Sequence, residues 1–220
     1  MIPKLVFALD TNKVDQTSHL AERAILGGID IIEVGTPLIK IGGLKTVDLL
    51  HETYPTIPIY ADLKVIDFPE MEVVDFFEAG ASFVSVMAFA NNYNVLEALE
   101  LAKSYDKKIF ISLMGYPKSE LKKRVIELIN LGVDYIIAHG SGKPVDAFND
   151  LLEKLELIHA IGNFELIAAG GINESNIDLV LSYRPRMIII GRGISMQRDI
   201  PSAVMHIKKR LLNFQIKCRK

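Results

Sequence analysis

A chain of 220 residues with 25 basic and 27 acidic side chains, a formal net charge of −2 and half its residues hydrophobic carries one full core and fits one domain better than two. The near-neutral balance leaves no basic surface for a phosphate backbone, so no nucleic-acid partner is expected, and the single cysteine, Cys218, excludes an internal disulfide or a cysteine zinc site. No apolar run nears the roughly 20 residues of a membrane span, and the first strand begins too close to Met1 for a signal peptide, so a cytoplasmic protein with no membrane partner is expected.

Short apolar runs rich in β-branched residues fall at residues 5–9, 30–34, 58–61, 82–87, 108–113, 134–138, 165–169 and 187–190. They are apolar at nearly every position, the pattern of strands buried on both faces. Amphipathic stretches separate them. In one, Leu121, Val125, Leu128 and Ile129 form an apolar stripe while Lys122, Lys123 and Glu127 face outward. Strand and helix in repeated alternation imply a parallel sheet with its helices outside. At this length the units close most simply into an α/β fold of the (β/α)8 type, a TIM barrel spanning 1–220 as a single domain. The open doubly wound alternative carries a glycine-rich turn after its first strand, where this chain has Asp10-Thr11-Asn12-Lys13. The last helix is expected over about 200–213. A short basic tail at about 214–220, with Lys217, Arg219 and Lys220, reads as a solvated, frayed terminus.

In such a barrel, chemistry collects at the carboxyl ends of the strands. Asp10 follows the first run, Glu33 ends the second, and Asp62 and Lys64 follow the third; His139 follows the sixth and Arg192 the eighth. Each alone reads as a helix cap or a surface residue. Together, at one end, they read as a site. Asp62 and Lys64 stand two apart, so on a strand they project together. Carboxylates around Lys64 keep its ammonium charged and poised to stabilise an oxyanion. The rival role, a Schiff-base lysine, needs a neutral amine.

A second signal lies in the last two units. Ala169-Gly170-Gly171-Ile172-Asn173 ends the seventh run, with Glu174 or Ser175 expected in the first turn of the following helix, and Gly191-Arg192-Gly193 ends the eighth. Gly170, Gly171 and Gly191 let backbone amides approach an anion closely, and Arg192 adds a charge-assisted contact. A phosphorylated ligand follows.

These segments, with Ile32-Glu33-Val34-Gly35-Thr36-Pro37-Leu38-Ile39-Lys40 and Asp62-x-Lys64-x-x-Asp67, resemble the orotidine 5′-monophosphate decarboxylase suprafamily, and within it the 3-hexulose-6-phosphate synthases most of all. The resemblance runs from Ala8-Leu9-Asp10 to Gly191-Arg192-Gly193. It implies a lyase that reversibly condenses formaldehyde with D-ribulose 5-phosphate through an enediolate. It further implies Mg²⁺ held by Glu33 and Asp62, Lys64 at the enediolate, Asp10 binding substrate and orienting Lys64, and His139 transferring a proton. A homodimer with shared sites, in which Asp67 reaches the partner's site, is implied as well. The chain also departs from the pattern. Glu33 stands where the orotidylate decarboxylases have lysine, and Asp67-Phe68-Pro69 looks more like their Asp-Ile-Pro than the synthases' Asp-Ala-Gly. Ser112 replaces an acid of the 3-keto-L-gulonate-6-phosphate decarboxylases that is often seen in the synthases too, and Ala138-His139-Gly140-Ser141 lacks the decarboxylases' following arginine and differs from the synthases' usual His-Thr-Gly. Those two decarboxylases and a non-catalytic sugar-phosphate-binding paralogue are the alternatives.

Overall fold

The computed structural model describes residues 2–218. It begins with β1 (Lys4–Leu9), α1 (Thr17–Gly27) and β2 (Ile31–Val34). The second unit carries two helices, α2 (Thr36–Gly42) and α3 (Leu44–Thr53), before β3 (Ile59–Val65). Then come α4 (Pro69–Glu78), β4 (Ala81–Met87), α5 (Asn92–Ser104), β5 (Lys108–Ser112) and α6 (Leu121–Asn130). The last units are β6 (Tyr135–His139), α7 (Pro144–Ile158), β7 (Glu165–Ala169), α8 (Ile177–Leu181) and β8 (Met187–Ile190). The short α9 (Arg192–Ser195) and long α10 (Ile200–Cys218) follow.

All eight strands are parallel, in sequence order, and β1 pairs with both β2 and β8, closing the barrel. This is the single-domain (β/α)8 barrel expected from the alternation. Alternate strand residues separate two apolar layers. Leu5, Phe7 and Leu9 face the helices, whereas Val6 and Ala8 belong to the cluster inside the barrel. Phe110 is the centre of that inner cluster. It stacks on Phe83 at 4.7 Å and packs, tilted, on Tyr60 at 5.0 Å and Tyr135 at 5.4 Å. Aromatic volume closes the amino half, while the small Ala8 and Ala169 above it leave room at the carboxyl end, where both line the main cleft.

Three expectations need correction. The third strand continues through Val65, so Asp62 and Lys64 lie within it. The turn at Asn173 is not yet helical: Asn173 N–H donates to Asn176 Oδ1 at 2.8 Å, and α8 starts only at Ile177, leaving Glu174 and Ser175 in the loop. The last helix runs beyond 213, through Cys218, because Leu211 and Phe214 still pack on the core. Arg219 and Lys220 of the expected basic tail lie outside the described residues. Among those described, no helix is long and apolar enough to cross a membrane.

Candidate active site

Register delivers the acidic groups to one place. Ala8 pairs with Glu33 and Glu33 with Tyr60, so Glu33 occupies the barrel layer just above the aromatic floor. It is 4% exposed, and its Oε2 has no hydrogen-bond partner. Burial, then the charges of Asp62 and Asp10, push its carboxyl well above the usual range. An orphaned, buried carboxylate oxygen is costly, and a cation would satisfy it.

Asp62, one inward position above Tyr60, is 3% exposed but fully partnered. Its Oδ1 accepts from Tyr60 Oη at 3.0 Å and Ser85 Oγ at 2.7 Å; its Oδ2 accepts from Thr36 Oγ1 at 2.8 Å and from Lys64 Nζ. Burial alone would raise this carboxyl. The charges of Lys64 and His139, with hydrogen bonds from Lys64 and Ser85, outweigh it and hold Asp62 below the ordinary value. Lys64 Nζ also donates to Thr36 Oγ1 at 2.9 Å.

The pairing of Asp62 with Lys64 arises differently from strand alternation. Between Ala61 and Val65 the register of β3 against β4 shifts, and Lys64 sits at φ 57°. A non-glycine residue there carries strain of about 1–3 kcal/mol. Ser85 offsets it by accepting Lys64 N–H at 2.9 Å. The irregularity folds Lys64 back over Asp62.

Asp10 continues the inward parity of β1. A Cβ on Gly191 would come 2.7 Å from Asp10 Oδ2, so the glycine is what allows the loop after β8 to close on this carboxylate. Burial and then Asp62 raise the Asp10 pKa, against opposing pulls from Lys64 and Arg192. No hydrogen bond to its side chain exists among the described residues, which leaves it facing the cleft. His139 ends β6 and lines the same cleft; burial and then the Lys64 charge lower its pKa to about 4.

The cleft measures about 920 Å³, and Asp10, Glu33, Asp62, Lys64 and His139 line it beside Glu174. Gly170, Gly171, Gly191 and Arg192, from the last two units, line it as well. Gly170 has φ 113°, and a Cβ there would meet the Gly140 carbonyl oxygen at 2.8 Å, so only glycine fits. Gly171, at φ 65°, continues the left-handed turn. The carboxylate–lysine cluster therefore shares its cleft with the glycine turns and Arg192 of the last two units.

Asp67 is the exception. It is exposed and absent from this chain's cleft; its Oδ1 accepts from Phe68 N–H at 3.0 Å and Asn94 Nδ2 at 3.1 Å. Sequence reasoning missed Thr36, Ser85 and Tyr60, the three hydroxyl donors around Asp62. Ser85 carried a signal: it is a hydroxyl in the middle of the fourth apolar run, at the same inward parity as Phe83.

Glu33 and Asp62 both line the cleft, and among the described residues no group of three or more His, Cys, Asp or Glu side chains is placed to hold a metal ion. Mg²⁺ commonly takes one or two protein carboxylates and fills its octahedron with water and substrate oxygens. The partnerless Glu33 oxygen fits that use.

A family model described as "Orotidine 5'-phosphate decarboxylase / HUMPS family" matches residues 3–207. The chain is 28% identical over 207 residues to the 3-hexulose-6-phosphate synthase of Bacillus subtilis (strain 168), covering 94% of this chain and 97% of that one. It superposes with a TM-score of 0.84 on a crystal structure of 3-hexulose-6-phosphate synthase, 27% identical, with 94% and 98% of the two chains covered. KGPDC from Streptococcus mutans in complex with a phosphorylated sugar, 22% identical, shares the fold with a TM-score of 0.86 over 97% of this chain and 99% of that one. With a family match across nearly its whole length and a carboxylate–lysine cluster beside a glycine-lined pocket, the chain belongs to the orotidine 5'-phosphate decarboxylase / HUMPS family of enzymes.

Proposed function

We propose that this protein is a 3-hexulose-6-phosphate synthase, a lyase that reversibly joins formaldehyde to C1 of D-ribulose 5-phosphate. The observation that carries the reading is the Lys64–Asp62 pair beside the orphaned Glu33 oxygen, in one cleft with the glycine turns of the last two units. Curated relatives of full length bear that name.

The main barrier is the negative charge of the enediolate left when C1 loses a proton. Lys64 supplies a fixed ammonium at that charge, held by Asp62 and Thr36 before substrate arrives. Glu33 and Asp62 would hold Mg²⁺, which when bound supplies positive charge beside the enediolate oxygens. Asp10, which faces the cleft with no hydrogen-bond partner for its side chain among the described residues and whose pKa is raised by burial and then by Asp62, takes the C1 proton. The resulting C1 attacks the formaldehyde carbon, whose C=O π bond opens to an alkoxide, and the alkoxide takes back the proton held by Asp10. His139, with a pKa lowered to about 4, enters neutral and serves a substrate oxygen as a hydrogen-bonding group. Gly170, Gly171, Gly191 and Arg192 hold the phosphate, whose binding energy positions the reacting carbons.

The test is a substrate panel, with and without Mg²⁺. Formaldehyde consumption with ribulose 5-phosphate supports the reading. Release of CO₂ from keto-gulonate phosphate or orotidylate, or calorimetric binding of ribulose 5-phosphate without turnover, overturns it. Arg192→Ala is expected to raise KM for the phosphorylated substrate about 10- to 100-fold, the worth of a hydrogen bond to a charged group, with kcat little changed.

A homodimer belongs to the same reading. Phe68, Met71 and Tyr93 are 67%, 81% and 74% exposed, and with Ile66 they flank Asp67 and its partner Asn94 in the chain. A second copy covering this face would receive Asp67 into its cleft. Met71→Glu is expected to yield monomers by light scattering and to lower activity; monomeric wild-type protein with full activity would refute the arrangement.

A further inference from the structure

Ser112 ends β5 fully buried, at the inward parity of Phe110. A buried hydroxyl needs an acceptor for its proton as well as a donor for its lone pairs. Around Ser112 Oγ the described residues supply one backbone N–H, that of Met114 at 3.4 Å, and one ring nitrogen, His139 Nδ1 at 3.2 Å. The amide can only donate. The hydroxyl proton therefore goes to Nδ1, which must be the ring's acceptor, and the imidazole proton sits on Nε2.

The backbone carrying the ring is fixed as well. Lys154, 1% exposed on α7, donates from Nζ to the His139 carbonyl at 2.7 Å and to Asp150 Oδ2 at 2.7 Å. Asp150 Oδ2 in turn accepts from Ser141 N–H and Oγ–H, both at 3.0 Å. The strand end and the loop behind His139 are thus tied to one helix, and the contact of the ring itself among the described residues is the one from Nδ1 to Ser112 Oγ.

We propose that Ser112 is a positioning residue that fixes His139 as the neutral Nε2–H tautomer, so that His139 donates a hydrogen bond to a substrate oxygen in the cleft. No proton leaves the ring: it polarises the oxygen while carbon deprotonation falls to a carboxylate. The tautomer stands on geometry alone; the identity of the oxygen, on the ribulose phosphate carbon skeleton, rests on the function proposed above. An acid at position 112 would do the opposite. A carboxylate can only accept, so it would demand Nδ1–H and turn Nε2 into a base. The hydroxyl at this place therefore selects a donor histidine.

The experiment uses the full chain labelled with ¹⁵N-histidine, reading two-bond ¹H–¹⁵N correlations near pH 7, with the His139 signals assigned by their loss in His139→Gln. Wild type is expected to give one neutral tautomer protonated on Nε2. Ser112→Ala should release the ring into a mixture, Ser112→Asp should move the proton to Nδ1, and Ser112→Thr should restore the wild-type pattern. With ribulose 5-phosphate and formaldehyde, Ser112→Asp should lower kcat about 10²-fold, the usual cost of one lost oxyanion donor, with KM nearly unchanged. A wild-type ring protonated on Nδ1, or a pattern unmoved in Ser112→Ala, overturns the proposal. Should Ser112→Asp fail to fold, the Ala and Thr pair decides. If the substrates are not turned over, the proposed function fails while the spectra still judge the tautomer. Turnover by an Nδ1–H enzyme fails the tautomer and spares the function.

Discussion

Lys64→Ala is expected to lower kcat by at least about 10³-fold while leaving a folded barrel. Lys64 is the one ammonium directly paired with Asp62 among the described residues, and its removal leaves a developing enediolate charge facing Asp10, Glu33 and Asp62 without its nearest counter-charge. Folding survives because Asp62 keeps Tyr60, Ser85 and Thr36 as donors, and because the strand loses no apolar burial. Stability should nevertheless fall by a pH-dependent amount. Asp62 has a folded pKa below its unfolded value, so it contributes stability above about pH 4 that is lost as pH falls through the folded pKa. Without Lys64 that contribution shrinks. The melting temperatures of wild type and variant should differ most near neutrality and converge as the pH drops through the folded pKa of Asp62. Circular dichroism melts across that range, beside steady-state kinetics, check both halves; near-normal kcat would remove Lys64 from the chemistry.

Glu33 should give the second large effect, with opposite signs for stability and activity. Its folded pKa lies well above the unfolded value, so its stabilising contribution is complete below about pH 4.5 and is lost as pH rises toward the folded pKa. In chelator at neutral pH, Glu33→Gln should therefore melt higher than wild type, by about 2–4 °C for each kcal/mol relieved in a domain of this size. The gap should close in acid, once the wild-type carboxyl is protonated in both states. Mg²⁺ should raise the wild-type melting temperature and leave Glu33→Gln unmoved, since the neutral amide is a poor ligand for a hard cation. Chelation should silence wild-type turnover and Mg²⁺ restore it, with Glu33→Gln inactive throughout. A wild-type protein whose melting and turnover both ignore chelator and Mg²⁺ would refute a cation at Glu33.

The barrel was legible because its strands are apolar on both faces, and because charges gather at the ends of those runs. Asp10, Glu33, Lys64, His139 and Arg192 could be read as one site on that ground. Local polarity misled in two places. Asp62 and Lys64 fall past the end of the third apolar run in the sequence, yet β3 continues through Val65 across a shift in register. Glu174 and Ser175 look helical, yet Asn173 and Asn176 close a turn across them. The doubled helix α2–α3 left no clear mark either, since Gly42 and Gly43 read equally well as a helix end. The partners of Asp62 were illegible for a different reason. Thr36, Tyr60 and Ser85 belong to neighbouring elements, and only the registry between β2, β3 and β4 decides that their hydroxyls meet one carboxylate.

The aromatic plug around Phe110 gives the barrel a blind end, so reactants enter and products depart through a single doorway. For two partners of such unequal bulk, that imposes an itinerary. On the proposed function, the sugar phosphate, anchored by its charged tail, is expected to be seated first, and a one-carbon aldehyde is small enough to slip past it. In the reverse direction the aldehyde leaves before its larger companion, which makes the order of traffic a property of the plug as much as of the catalytic groups.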